Sequence, residues 1–134
     1  SSVSKHRLGE TFERCDDTIA LSAMYAANHY PGIKAIICLS ESGRTPLMMS
    51  RIKSNVPIFC FTRHTSTQQR AALFRGVYSM NFDARQYSVE QVAPAAMQYL
   101  LDQQAVQSGD WVILTQGRLG QAGGTNSMQI LQVP

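Results

Sequence analysis

Apolar residues recur every three or four positions from Glu10 to Tyr30, at Phe12, Cys15, Ile19, Ala23, Ala26, Ala27 and Tyr30, until Pro31-Gly32 breaks the pattern. That spacing predicts an amphipathic helix and its stop. Ala35 to Leu39 is a short run of apolar and β-branched residues, the signature of a strand buried on both faces. Thr45-Pro46 then offers a hydroxyl at the N-cap and a proline at the first helical position, opening a helix to about Ser54. The alternation repeats: Pro57 to Phe61 as a strand, Thr65 to Leu73 as a polar helix, and Val77 to Asn81 as a strand. Ser88 with Gln91 three residues on has the form of a capping box, opening a helix to about Ala105 with Pro94 in its first turns. Gly109-Asp110 marks a turn, Trp111 to Leu114 a fourth strand, Gln116 to Gly124 a glycine-rich loop, and Met128 to Val133 a last strand.

Strands and helices in alternation imply an α/β domain. The expected architecture is a three-layer α/β/α sandwich on a mostly parallel five-stranded sheet, with the last strand as an antiparallel edge. At 134 residues without linkers or repeats, one domain spanning 1–134 is expected. The opening lacks an initiator methionine and runs straight into a helix pattern, which suggests a domain excised from a longer chain.

Composition narrows the functional classes. Apolar residues make up 44% and charged residues 16% of the chain, as in ordinary globular domains. The formal charge of +3 is spread along the chain without a basic tract, which argues against nucleic acid as a partner. The longest apolar runs are too short to cross a bilayer, so no membrane partner is expected, and the absence of a charged-then-apolar leader predicts a cytoplasmic location. Cys15, Cys38 and Cys60 form no CxxC pair, and free thiols are expected, with Cys38 and Cys60 buried in strands. His6, His29 and His64 are too widely spaced to suggest a metal site. No acid–base pair or nucleophile–base pair emerges, so no catalytic residue is assigned.

The segment with most chemical content is Ser40-Glu41-Ser42-Gly43-Arg44-Thr45, between a strand and a helix. In α/β sheets ligands bind at this end of the strands. Helix amides and the hydroxyls of Ser40, Ser42 and Thr45 suit an anion such as phosphate. Gly43 would allow close approach, Arg44 would add charge, and Glu41 would oppose the anion unless turned away or used to accept a sugar hydroxyl. A second loop, with Gly117, Arg118, Gly120 and Gly123, also follows a strand and would supply the further contacts a lone phosphate needs. Each loop has a plainer reading: a capping loop for the first, a hairpin connection for the second.

Six blocks in order carry a family resemblance: Ser22 to His29, Glu41 to Thr45, Phe61 to His64, Leu73 to Val77, Ser108 to Ile113, and Gly124 to Met128. Together they resemble the C-terminal domain of pyruvate kinase, in the proteobacterial type that responds to sugar monophosphates and AMP. The resemblance implies an allosteric, glycolytic regulatory domain whose hydroxyl-rich loop grips an effector phosphate while the glycine-rich loop closes over it. It also implies self-association through this domain within a tetramer. In that family the catalytic residues, Mg and K ions, phosphoenolpyruvate and ADP belong to a separate barrel, so no cofactor and no phosphate transfer are expected here. Bisphosphate-responsive members carry an arginine near the start of the helix that begins at Ser88, where this chain has Gln91-Val92-Ala93. A monophosphate of the glucose 6-phosphate or ribose 5-phosphate type is therefore expected. The competing expectation is an oligomerisation module without a ligand.

Overall fold

A computed structural model describes residues 14–117 and 124–134. Five strands form one sheet in the order β3-β2-β1-β4-β5. β1 (Ile33–Leu39), β2 (Ile58–Thr62), β3 (Val77–Asn81) and β4 (Trp111–Gly117) run parallel, and β5 (Thr125–Gln132) pairs antiparallel with β4. This is the expected α/β architecture with its antiparallel edge. Strand β1 lies between β2 and β4, with Cys38 opposite Cys60 on one side and Thr115 on the other.

Both faces of the central strands are apolar, so both need cover. On one face α1 (Cys15–His29), α2 (Arg44–Ser50) and α3 (Thr65–Ala71) bury Ala23, Met24, Met49 and Ala71 against Ile36, Cys38, Ile58, Cys60 and Ile113. On the other face α4 (Val89–Asp102) buries Val92, Ala96, Met97 and Leu100 against Ile37, Phe59, Phe61, Val112 and Leu114. The chain changes face after β3, through a short 3₁₀ turn at Ala84–Gln86.

Helix α4 starts as its sequence requires: the Gln91 side chain accepts a hydrogen bond from the Ser88 amide at 3.2 Å, the return half of a capping box. Helix α1 differs from expectation. Its buried positions are Asp16, Ala20, Ala23, Met24 and Ala27, whereas Cys15 and Tyr30 are exposed. Ala23 and Ala27 face inward as expected, but the first turns of the stripe are shifted by one residue, from Cys15 and Ile19 to Asp16 and Ala20, where the ion pairs of Asp16, described below, allow a carboxylate to face inward. The part of the predicted helix before residue 14 lies outside the described residues.

Helix α2 also corrects the sequence reading. It starts two residues earlier, with Gly43 at the N-cap rather than Thr45, and ends at Ser50. Gly43 has a φ of 82°, a left-handed conformation that glycine adopts without steric cost. A Cβ there would also sit 3.2 Å from Thr67 Cγ2. Strand β4 extends into the predicted glycine-rich loop as far as Gly117, and β5 begins at Thr125 rather than Met128, because antiparallel pairing continues from Trp111–Gln132 to Gly117–Thr125.

Burial separates the three thiols. Cys38 and Cys60 are wholly enclosed, and removal from water pushes the Cys38 thiol far up and the Cys60 thiol up to about 12. A thiol reagent at pH 8 is therefore expected to modify one cysteine, Cys15, in the folded chain and all three in denaturant; rapid native modification of two or three would contradict this packing.

Candidate functional site

In a sheet ordered 3-2-1-4-5, the chain leaves β1 toward β2 and returns on the other side as β4. The connections on either side of that reversal diverge and open a crevice at the carboxyl ends of the strands. A cleft open to solvent lies there. Its lining comes from the ends of all five strands: Ser40, Glu41 and Ser42 after β1, Thr62 and Arg63 after β2, Phe82 and Ala84 after β3, Gln116 and Gly117 from β4, and Thr125 from β5. Thr45 of α2 completes it.

Hydrogen bonding orients the hydroxyls of this cleft. Ser40 Oγ accepts from the Gly43 amide at 2.9 Å, and Ser42 Oγ accepts from the Arg44 amide at 3.3 Å. A hydroxyl that accepts keeps its own proton for donation elsewhere. Thr45, only 2% exposed, donates from Oγ1 to Thr125 Oγ1 at 2.9 Å, which leaves the Thr125 proton in turn. Meanwhile α3 draws two carbonyls of the loop toward itself: Thr67 Oγ1 donates to Glu41 O at 2.8 Å, and Arg70 to Ser42 O at 3.1 Å. The loop thus presents hydroxyl donors to the cleft and spends its carbonyls on the neighbouring helix.

The one cation lining the cleft among the described residues is Arg63. Its Nε lies 3.5 Å from Glu41 Oε2, and the same oxygen is hydrogen-bonded by His64 Nε2. No group of three or more His, Cys, Asp or Glu side chains converges to hold a metal ion among the described residues. The arrangement suits recognition of an anion carrying further polar groups, with Leu39, Phe61, Phe82 and Ala84 as an apolar wall.

The structure separates the residues singled out in the sequence. Ser40, Glu41, Ser42, Thr45 and Gly117 line the cleft; Gly43 and Arg44 do not. Gly43 shapes the turn and packs against Thr67. Arg44 faces α1, where it donates to Asp17 Oδ2 at 2.9 Å and lies 3.6 Å from Asp16 Oδ2. Adjacent residues at a helix start point apart, and the acidic first turn of α1 claims this guanidinium. The amides of Gly43, at the N-cap, and of Arg44 are taken by Ser40 and Ser42, and the hydroxyls lining the cleft add to its donors. Arg118, Gly120 and Gly123 lie outside the described residues. At Gly117 a Cβ would fall 2.0 Å from the Gly124 carbonyl oxygen, a contact that excludes any side chain.

Thr62, Arg63 and Thr125 were assigned no role from sequence. The carboxyl-end rule that selected Ser40 also applies to Thr62-Arg63 after β2. Thr125 became visible only through the antiparallel return of β5.

An open, mostly parallel α/β sheet with a hydroxyl-lined cleft at its strand reversal defines this as a doubly wound domain with a polar crevice. Comparison with known proteins specifies it: the family of the pyruvate kinase alpha/beta domain matches residues 17–131, and the chain belongs to that family. It is 48% identical over 133 residues to pyruvate kinase II of Salmonella typhimurium, covering 98% of this chain and 28% of that protein. It is 45% identical over 133 residues to a pyruvate kinase of Buchnera aphidicola, with 98% and 27% covered. With a pyruvate kinase of Haemophilus influenzae it shares 44% identity over 119 residues, with 89% and 25% covered. The chain therefore spans about a quarter of the length of these relatives. No described helix is long and apolar enough to cross a membrane.

Two measurements test the site's construction. Thr45→Val and Thr125→Val should each destabilise the fold by about 1–2 kcal/mol, because each leaves a hydroxyl or its partner unsatisfied in a buried position. The double variant should cost clearly less than the sum in denaturant melts, and additivity would show that the pair is not coupled.

Asp16 is tested by pH. Burial alone would raise its carboxyl; hydrogen bonding and charge from Arg14, the Asp17 amide and the charge of Arg44 outweigh it and hold the group below its ordinary value. A depressed folded value means stability that is present above about pH 3.9 and lost as pH falls below it. Asp16→Asn should lower stability at pH 7 by about 1 kcal/mol, a figure reduced for the exposure of Arg14. The gap to wild type should close below pH 4, and a pH-independent gap would refute the charge account.

Proposed function

We propose that the cleft receives the phosphate of a phosphorylated sugar and that the chain is the effector-binding and subunit-assembly domain of a pyruvate kinase. In this reading 1–134 is a single regulatory domain. Transfer of phosphate from phosphoenolpyruvate to ADP, with its Mg and K ions, belongs to a barrel outside this chain. The observation that carries the proposal is the convergence of Ser40, Ser42, Thr62 and Thr125 with Arg63 on one crevice at the strand reversal. Uncapped hydroxyl protons and one guanidinium are the donor set a phosphate requires. Micromolar affinity needs about 8 kcal/mol, more than a phosphate alone supplies through a few hydrogen bonds of about 1.5–3 kcal/mol each less ordering costs. The ligand therefore carries additional groups, and a sugar would meet Glu41, Gln116 and the segment from Gly117 to Gly124, including Arg118, Gly120 and Gly123.

Binding here would act on assembly by differential affinity for two arrangements of the subunits, a coupling of about 1–3 kcal/mol. A monophosphate such as glucose 6-phosphate or ribose 5-phosphate is favoured over a bisphosphate. At the start of α4, Gln91 spends its side chain on the Ser88 amide, and neither Val92 nor Ala93 can pair with a second phosphate. A second reading, an assembly module without a ligand, draws on the internal bonds of Ser40, Ser42 and Thr45, which satisfy part of the site without any guest.

Calorimetric titration separates the readings. Glucose 6-phosphate or ribose 5-phosphate should bind the chain and raise its melting temperature, and Ser42→Ala with Thr125→Ala should weaken binding at least tenfold, or about 1.4 kcal/mol. Tight binding of fructose 1,6-bisphosphate alone would refute the monophosphate choice. Absence of binding by all three sugars would favour the assembly module.

A further inference from the structure

A carboxylate stands in the middle of a cleft otherwise built to donate to an anion. Glu41 lines the cleft between Ser40 and Ser42, with its side chain 24% exposed. It is held in place: Oε2 takes the hydrogen bond of His64 and faces Arg63 Nε, while the Glu41 backbone carbonyl is tied to Thr67. Oε1 takes no hydrogen bond from the described residues. The carboxylate therefore has one oxygen anchored and one oxygen free to accept.

Two consequences follow from elementary electrostatics. A fixed negative charge beside the donor set repels a bare dianion and cancels much of the field of Arg63. A free carboxylate oxygen is also a strong acceptor for a hydroxyl; inorganic phosphate has only the P–OH protons of the group that must meet the donor set, whereas a phosphorylated sugar brings several hydroxyls beyond its phosphate. The charge thus opposes both ligands, and the sugar phosphate regains the loss through those further hydroxyls.

Resting on the reading of the cleft as a phosphate receptor, we infer that Glu41 is its specificity-determining residue: it rejects inorganic phosphate and selects a phosphate ester bearing hydroxyl groups. His64 and Arg63 serve as positioning residues that hold Oε2 so that Oε1 meets the ligand.

The test titrates the wild-type chain, Glu41→Gln and Glu41→Asp with inorganic phosphate and with glucose 6-phosphate. Glu41→Gln removes the charge and should bind inorganic phosphate about tenfold more tightly, while the preference for glucose 6-phosphate over phosphate falls about tenfold or more. Glu41→Asp keeps the charge but draws it back from His64. It should leave phosphate affinity within about twofold and still lower the preference, so it decides the matter should the glutamine variant fail to fold. An unchanged preference in a folded variant overturns the role of Glu41 and leaves the receptor reading standing. Failure of the wild type to bind either ligand overturns the receptor reading itself, and this inference with it.

Discussion

Strand β1 has apolar side chains on both faces and hydrogen-bonded strands on both sides, so none of its backbone or core side chains can be left to water. That single requirement organises the molecule. Helices must cover the sheet above and below, and a chain that places α1, α2 and α3 on one face must cross over to supply α4 on the other. The crossing forces the strand order to reverse beside β1. The reversal leaves a crevice where connections part, and most of the side chains that reach it come from the ends of the strands and the residues just after them. The site is thus a by-product of covering the core, furnished afterwards with hydroxyls.

The furnishing depends on how polar groups are satisfied. Ser40 and Ser42 accept from the amides at the start of α2, and Thr45 donates to Thr125 from the far end of the chain. Each of these bonds stabilises the empty cleft and also fixes the direction of the remaining hydroxyl protons. Carbonyls that would repel an anion are taken up by Thr67 and Arg70 of α3. Charges are sorted in the same way: Arg44 is committed to Asp16 and Asp17 on α1, while Arg63 stays at the cleft in balance with Glu41. The chain belongs to the pyruvate kinase alpha/beta domain family, and the cleft gathers hydroxyls, one guanidinium and one carboxylate among the described residues.

Much of this was legible in local sequence. The buried strands at Ala35–Leu39 and Pro57–Phe61, the capping box at Ser88 and Gln91, and the loop at Ser40–Thr45 are signals of a few neighbouring residues, and short-range physics decides them. Where the reading slipped, two local solutions were nearly equal. The stripe of α1 could face inward on Cys15, Ile19 and Tyr30 or on Asp16, Ala20 and Met24, and the choice fell to ion pairs with Arg14 and Arg44. Thr45-Pro46 has the form of a helix start, yet Gly43 can take the left-handed turn and begin the helix earlier.

By itself the sequence determined the alternation of elements, the apolar identity of the central strands and the residue types available at the strand ends, because periodicity and turn chemistry act over a few residues. Only the tertiary structure decided that Arg63 and Thr125 join Ser40, Ser42 and Thr45 while Arg44 leaves them. Thr45 and Thr125 alone are separated by 80 positions along the chain, and no local pattern encodes which side chains meet once helices have packed on both faces of a sheet.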